Sequence, residues 1–131
     1  MVQQRVPVAA FFLLLGVFFG LITGPAAEAG EVEVVAVDVQ HQQGGRYRFA
    51  VTLRHQDEGW AHYADAWEVR GPDGEVFGRR VLAHPHVDEQ PFTRSLSGVK
   101  VPAGIAEVTV VAHDKVHGES AAFKVPLPPA G

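Results

Sequence analysis

Between Val32 and Leu127, apolar and polar residues alternate in short runs separated by turn-forming residues. The runs Val32 to Gln40, Arg46 to His55, Tyr63 to Arg70, Glu75 to Ala83, Phe92 to Val99, Ala106 to His113 and Ala121 to Leu127 carry β-branched or aromatic residues two apart. That is the pattern of strands with one face buried. The second run shows it most clearly: Tyr47, Phe49, Val51 and Leu53 form one face, and Arg46, Arg48, Thr52 and Arg54 form the other. Turn chemistry falls between runs at Gly44-Gly45, Gly71-Pro72-Asp73-Gly74 and Pro102-Ala103-Gly104. No segment carries a helical period. The expectation is an all-β fold, a seven-stranded immunoglobulin-like or fibronectin-III-like antiparallel sandwich, with a small closed barrel as the alternative.

The first thirty residues follow another pattern. Met1 to Arg5 carries the amino terminus and one Arg, Ala9 to Ile22 is apolar apart from Gly16 and Gly20, and Thr23 to Ala29 is small and turn-rich. This is the layout of a signal peptide, with Ala27-Glu28-Ala29 offering small residues ahead of a cut before Gly30. The expected organisation is therefore a signal peptide over 1–29 and a β-sandwich domain over 30–131. An uncleaved membrane anchor is the alternative, although the apolar stretch falls short of the roughly 20 residues that span a bilayer comfortably. Either reading exports the remainder, to the periplasm or beyond the cell, and cleavage would leave no membrane insertion.

Composition narrows the chemistry. The chain has 131 residues, with 11 Lys plus Arg against 15 Asp plus Glu and a net charge of -4, which argues against nucleic acid as a partner. It contains no cysteine, so disulfides, thiolate metal centres, thiol catalysis and lipidation at a cysteine are excluded. Any metal must be held by His, carboxylates or backbone. Removing the leader takes only Arg5 and Glu28 from the charged set and leaves every His in place. A domain of this size buries about two thirds of its unfolded surface, enough for a core without disulfides.

The His positions are the most informative feature. Consecutive antiparallel strands reverse direction, so alternate loops fall at the same end of the fold. The loops His55 to His62, His84 to Pro91 and His113 to Glu119 share one end, together with Asp57, Glu58, Asp88, Glu89, Asp114 and Glu119. Only His41 falls at the other. Imidazoles beside carboxylates can chelate a divalent cation, because neutral His offers a borderline nitrogen donor and the carboxylates compensate its charge. The candidate ligands are His84, His86, His113 and His117 with His62, while Asp65 and Asp114 orient the imidazoles or add ligands. Zn(II) or Cu(II) is the expected ion, since the mature chain has no Met or Cys for Cu(I).

His84-Pro85-His86 places two His two apart in extended chain, facing the same way. His113 and His117 flank a short turn. His62 and His113 are expected to point outward and Asp65 and Asp114 inward, whereas the parity of His84 stays open because Val81 and Leu82 compete for the core. The competing reading is a polar cap in which Asp65, Arg94 and Asp114 satisfy hydrogen bonds with no metal. Trp67 reads as core. Trp60, in the His-rich loop, reads either as a stacking platform or as packing over the end of the fold. Arg46, Arg48 and Arg54 form a solvated stripe. Ser95 and Ser97 lie in no GxSxG context, so a serine nucleophile has no support.

The run Trp67-Glu68-Val69, Gly71-Pro72-Asp73-Gly74, Arg80-Val81-Leu82, His84-Pro85-His86-Val87 and Glu89-Gln90-Pro91-Phe92-Thr93-Arg94-Ser95, closed by Ala112-His113-Asp114 and Val116-His117-Gly118, resembles an uncharacterised family of small exported bacterial β-sandwich proteins. The resemblance implies a domain of the export compartment. In general architecture the chain also resembles small periplasmic copper-carrier sandwiches, but it lacks their amino-terminal His and Met-rich segments.

The function expected from the sequence is an exported, non-enzymatic, divalent-metal-binding β-sandwich serving as carrier, sensor or stabilised module. The alternative is an accessory domain whose polar end docks a protein partner in the cell envelope. An enzyme ranks third. Oligomeric state and the identity of a partner cannot be read from the sequence.

Overall fold

The computed structural model describes residues 31–129, so the expected signal peptide lies outside the described residues. Eight strands run in order: β1 (Glu33–His41), β2 (Arg46–Arg54), β3 (Ala64–Arg70), β4 (Val76–Val81), β5 (Phe92–Lys100), β6 (Glu107–Asp114), β7 (Gly118–Glu119) and β8 (Phe123–Pro126). The described residues contain no helix long and apolar enough to cross a membrane. All pairings are antiparallel. One sheet has the order β1-β2-β5; the other has β4-β3-β6, with β7 and β8 both paired to the far side of β6.

The eighth strand is a correction to the expected seven. A single last strand over Ala121 to Leu127 was the reading of the sequence, but the partner of β6 is split. β7 pairs with His113 and Asp114, and β8 pairs with Glu107 to Val110. Gly118, at a φ of 78°, turns the chain back to begin β7. Between the two pieces, Ser120 donates its N–H to the Ala112 carbonyl at 2.7 Å and accepts the Ala112 N–H on its hydroxyl at 2.9 Å. The edge of β6 therefore stays hydrogen-bonded where strand pairing is interrupted.

Alternation decides which faces are buried. Tyr47, Phe49, Val51 and Leu53 of β2 turn inward and meet Trp67 and Val69 of β3 and Val108, Val110 and Ala112 of β6 from the other sheet. Both sheets thus share one core, each large apolar side chain contributing about 1.5–3 kcal/mol by leaving water. Trp67 is fully buried. Leu82 faces the core and Val81 faces solvent, which settles their competition. At Gly78 the core leaves no room: a Cβ there would stand 3.0 Å from Leu96 and 3.1 Å from Val99, so glycine lets β4 lie close over β5.

The inward rows of β2 and β6 both continue past their last apolar residue. Two positions beyond Leu53 comes His55, and two beyond Ala112 comes Asp114. Both are buried. The apolar core therefore ends in a polar layer, at the end of the fold where the His-rich loops gather.

Candidate metal site

Asp114 is the centre of that layer. Its Oδ1 accepts the N–H groups of Val116 at 2.8 Å and His117 at 2.6 Å, the short turn that sends the chain from β6 into β7. Its Oδ2 is buried and has no hydrogen-bond partner. His117 Nδ1 lies 3.4 Å and His55 Nε2 3.8 Å from Oδ2, and His62 Nε2 lies 3.6 Å from Oδ1. His62 Nε2 is likewise buried without a hydrogen bond. Burial acts to raise the Asp114 pKa, but the N–H groups of His117 and Val116, with the imidazoles of His55 and His117 nearby, outweigh it and hold the carboxyl below its usual range. Asp114 is thus an anion facing three imidazoles.

His55 is aimed by Asp57. Its Nδ1 donates to Asp57 Oδ1, because a carboxylate can only accept. Asp57 is buried and also accepts the Ala64 N–H at 3.2 Å and the His86 N–H at 2.6 Å. The end of β2, the start of β3 and the His86 loop are therefore tied to this one side chain. With the proton on Nδ1, the His55 lone pair is on Nε2, the atom facing Asp114. A carboxylate fixing one ring nitrogen while the other points at a site is the arrangement that orients metal-bound His. The His62 ring stands edge-on to His55 at 4.9 Å between centroids, and the His117 ring lies 5.0 Å from His62.

One ligand atom from each of His55, His62 and Asp114 falls within 4.8 Å of the others. The separations of 3.4 to 3.8 Å around Asp114 are too long for good hydrogen bonds. Convergence within 4.8 Å holds for His55, His62 and Asp114, and His117 Nδ1 adds a donor beside Asp114 Oδ2. On donor type, burial and spacing the residues fit a divalent ion.

The structure brings together three of the residues singled out in the sequence, His62, His117 and Asp114. The other four stand apart from this group. His113 points outward and donates from Nδ1 to Asp65 Oδ1 at 2.5 Å. Asp65 was expected to face inward. The register of β3 against β6 shifts between Ala64 and Ala66, and that irregularity brings Asp65 to His113. His84 and His86 form a pair of their own, with ring centroids 4.6 Å apart. His86 is buried flat against Phe92 at 3.9 Å, and His84 is exposed.

His55 and Asp57 were missed as members. The signal for His55 was present: it is the next inward position of the best-patterned strand. Asp57 had no comparable signal, since it lies in a loop where parity does not apply.

The Glu89 to Ser95 segment shows what the distinctive sequence run does. Gln90 accepts the His55 N–H at 2.9 Å and donates to the His86 carbonyl at 2.8 Å. Glu89 pairs with Arg94 at 3.1 Å. Phe92 carries His86, the Thr93 and Thr52 hydroxyls bond at 2.7 Å, and Ser95 accepts from Arg48 at 3.0 Å. The run fastens the polar end to β2. Trp60 is exposed, its ring edge-on to Tyr63 at 5.8 Å.

No family model matches the chain, and no solved structure matches it. It is similar to a protein of Halomicrobium mukohataei named "Putative lipoprotein", with 44% identity over 88 residues, 67% of this chain. The match covers 43% of that protein, so the chain spans less than half the length of this relative.

Proposed function

We propose that this is an exported, non-enzymatic domain that holds one divalent ion, Zn(II) or Cu(II), at its polar end. His55, His62, His117 and Asp114 are the ligands and Asp57 orients His55. One observation carries the reading: Asp114 Oδ2 and His62 Nε2 are buried polar atoms with no hydrogen-bond partner, in a group whose donor atoms converge. Leaving such groups bare costs about 1–3 kcal/mol each, and an ion among them removes that cost. Export is supported by the leader pattern of residues 1–29 and by likeness to a protein whose name is that of a lipoprotein. Two sheets around one core, with Trp67 buried in β3 beside β6, support reading the fold as an immunoglobulin-like sandwich.

The test is calorimetric titration of the tag-free protein with Zn(II). The expected result is a binding event of micromolar affinity or better, which His62→Gln weakens by at least about tenfold. Absence of binding, or an unchanged His62→Gln titration, contradicts the site.

A second reading rests on Trp60 and Val87, which are 65% and 57% exposed at the same end. Such side chains suit an envelope protein partner. Capture that persists in chelator favours this reading over metal binding.

A further inference from the structure

β1 is an outer strand: it pairs with β2 on one side, and among the described residues no strand pairs with its other side. A bare strand edge presents a row of N–H and C=O groups to any other strand, and folds usually guard it with Lys, Arg, Pro or short length. The other outer strands are guarded in this way. β4 carries Arg79 and Arg80, β5 carries Arg94 and Lys100, and β8 is four residues long and ends at Pro126. β1 is nine residues long and holds no Lys, Arg or Pro. Its register irregularity falls between Val34 and Ala36, so Ala36 to His41 runs unbroken along β2.

An apolar cleft of about 360 Å³ opens beside this edge, lined by Val37 and Val39 of β1 and by Phe123, Val125, Leu127 and Pro128 on the β8 side. Val37, Val39, Phe123 and Leu127 pack on the core but are only partly buried. The unguarded edge and the cleft lie on the same side of the fold and call for one cover.

We propose that the cover is a second copy of this chain, joined β1 to β1 in antiparallel fashion about a two-fold axis at Val39. Facing residues in an antiparallel pair share a face of the sheet, which restricts the register. An axis at Asp38 would set two carboxylates opposite each other. An axis at Val37 would set exposed Gln40 opposite buried Val34, which the irregularity places on opposite faces. The axis at Val39 sets Val39 opposite itself, Val37 opposite His41 and Asp38 opposite Gln40, whose amide can donate to the carboxylate. Asp38 is the one carboxylate in this stretch, so no like charges meet. The pairing joins two three-stranded sheets into one of six strands. It also turns the clefts of the two copies towards each other.

The experiment is sedimentation velocity of the tag-free protein over a range of concentrations, in chelator so that metal-bridged dimers do not form. The wild type is expected to form a reversible dimer. Asp38 and Gln40 are exposed, so their substitution leaves the core intact. Gln40→Asp sets carboxylates opposite each other at two symmetric places and is expected to weaken the dimer at least about tenfold. Adding Asp38→Lys to Gln40→Asp sets opposite charges there and is expected to restore it. A dimer that Gln40→Asp leaves unchanged, or that the added Asp38→Lys fails to restore, overturns this interface. A wild type that stays monomeric at about 1 mM overturns the proposal; protection of its β1 amides from hydrogen exchange would then assign the edge to another segment of the same chain.

Discussion

His55 and Asp114 end the inward rows of two strands in different sheets, and they face each other with His55 Nε2 3.8 Å from Asp114 Oδ2. The sheet pairing therefore fixes the heart of the polar end, and the loops add His62 and His117 around it. A site anchored on strand ends is held more firmly than one built from loops alone.

Removing His55 should damage both folding and binding. His55→Ala takes away a buried ring and leaves Asp57 Oδ1 without its imidazole donor. We expect a loss of about 2–4 kcal/mol of stability in chelator, read by urea unfolding, and loss of Zn(II) binding. A variant as stable as the wild type would show that Asp57 and Asp114 are satisfied without this ring.

The Gln90 side chain accepts the His55 N–H and donates to the His86 carbonyl, so it joins the two segments through their backbones. Gln90→Ala should cost about 1–3 kcal/mol by breaking both bonds and should weaken Zn(II) binding through misplacement of His55. Chemical denaturation and titration of the same sample separate the two effects. Unchanged affinity beside lowered stability would restrict Gln90 to a folding role.

How much of this could be read from the sequence depends on where periodicity reaches. The inward faces of β2, β3 and β6 follow from alternation, and so does the gathering of His-rich loops at one end. Alternation continued by two residues also reaches His55, yet the row looked complete at Leu53 because the next inward residue is polar. Asp65 reads wrongly, since a one-residue register irregularity turns a side chain to the opposite face and leaves no mark in composition. At the split between β7 and β8, Ser120 meets Ala112 through one backbone bond and one bond to its hydroxyl, a local arrangement that strand alternation does not announce. The separation of His84 and His86 from the central group depends on Phe92 and Asp57, contacts distant in sequence.

His86 gives a pH dependence whose sign follows from its surroundings. Its pKa is lowered in the folded protein, chiefly by burial. As pH falls through the ordinary value of about 6.5, the unfolded chain takes up a proton that the folded protein does not. Stability should therefore decline through that window and level off once the pH is below the folded-state pKa. His86→Phe, which keeps a ring against Phe92, should flatten this part of the profile in chelator. An unaltered slope would mean that another group titrates there.

Gly78 tests the packing independently of the site. Gly78→Val would push branched carbons towards Leu96 and Val99 and should cost about 1–3 kcal/mol through overpacking, with Zn(II) affinity unchanged because the ligands come from other segments. Thermal unfolding and titration check the two halves of this expectation. A loss of affinity would show that the β4–β5 contact controls the polar end.

The most direct measurement is an anomalous difference map at the zinc edge from crystals of the tag-free protein grown with Zn(II). The account predicts a peak bonded to His55 Nε2, His62 Nε2 and Asp114 Oδ2 at about 2.0–2.2 Å, with His117 completing the shell. Zinc-loaded crystals with no peak between these three side chains would contradict it.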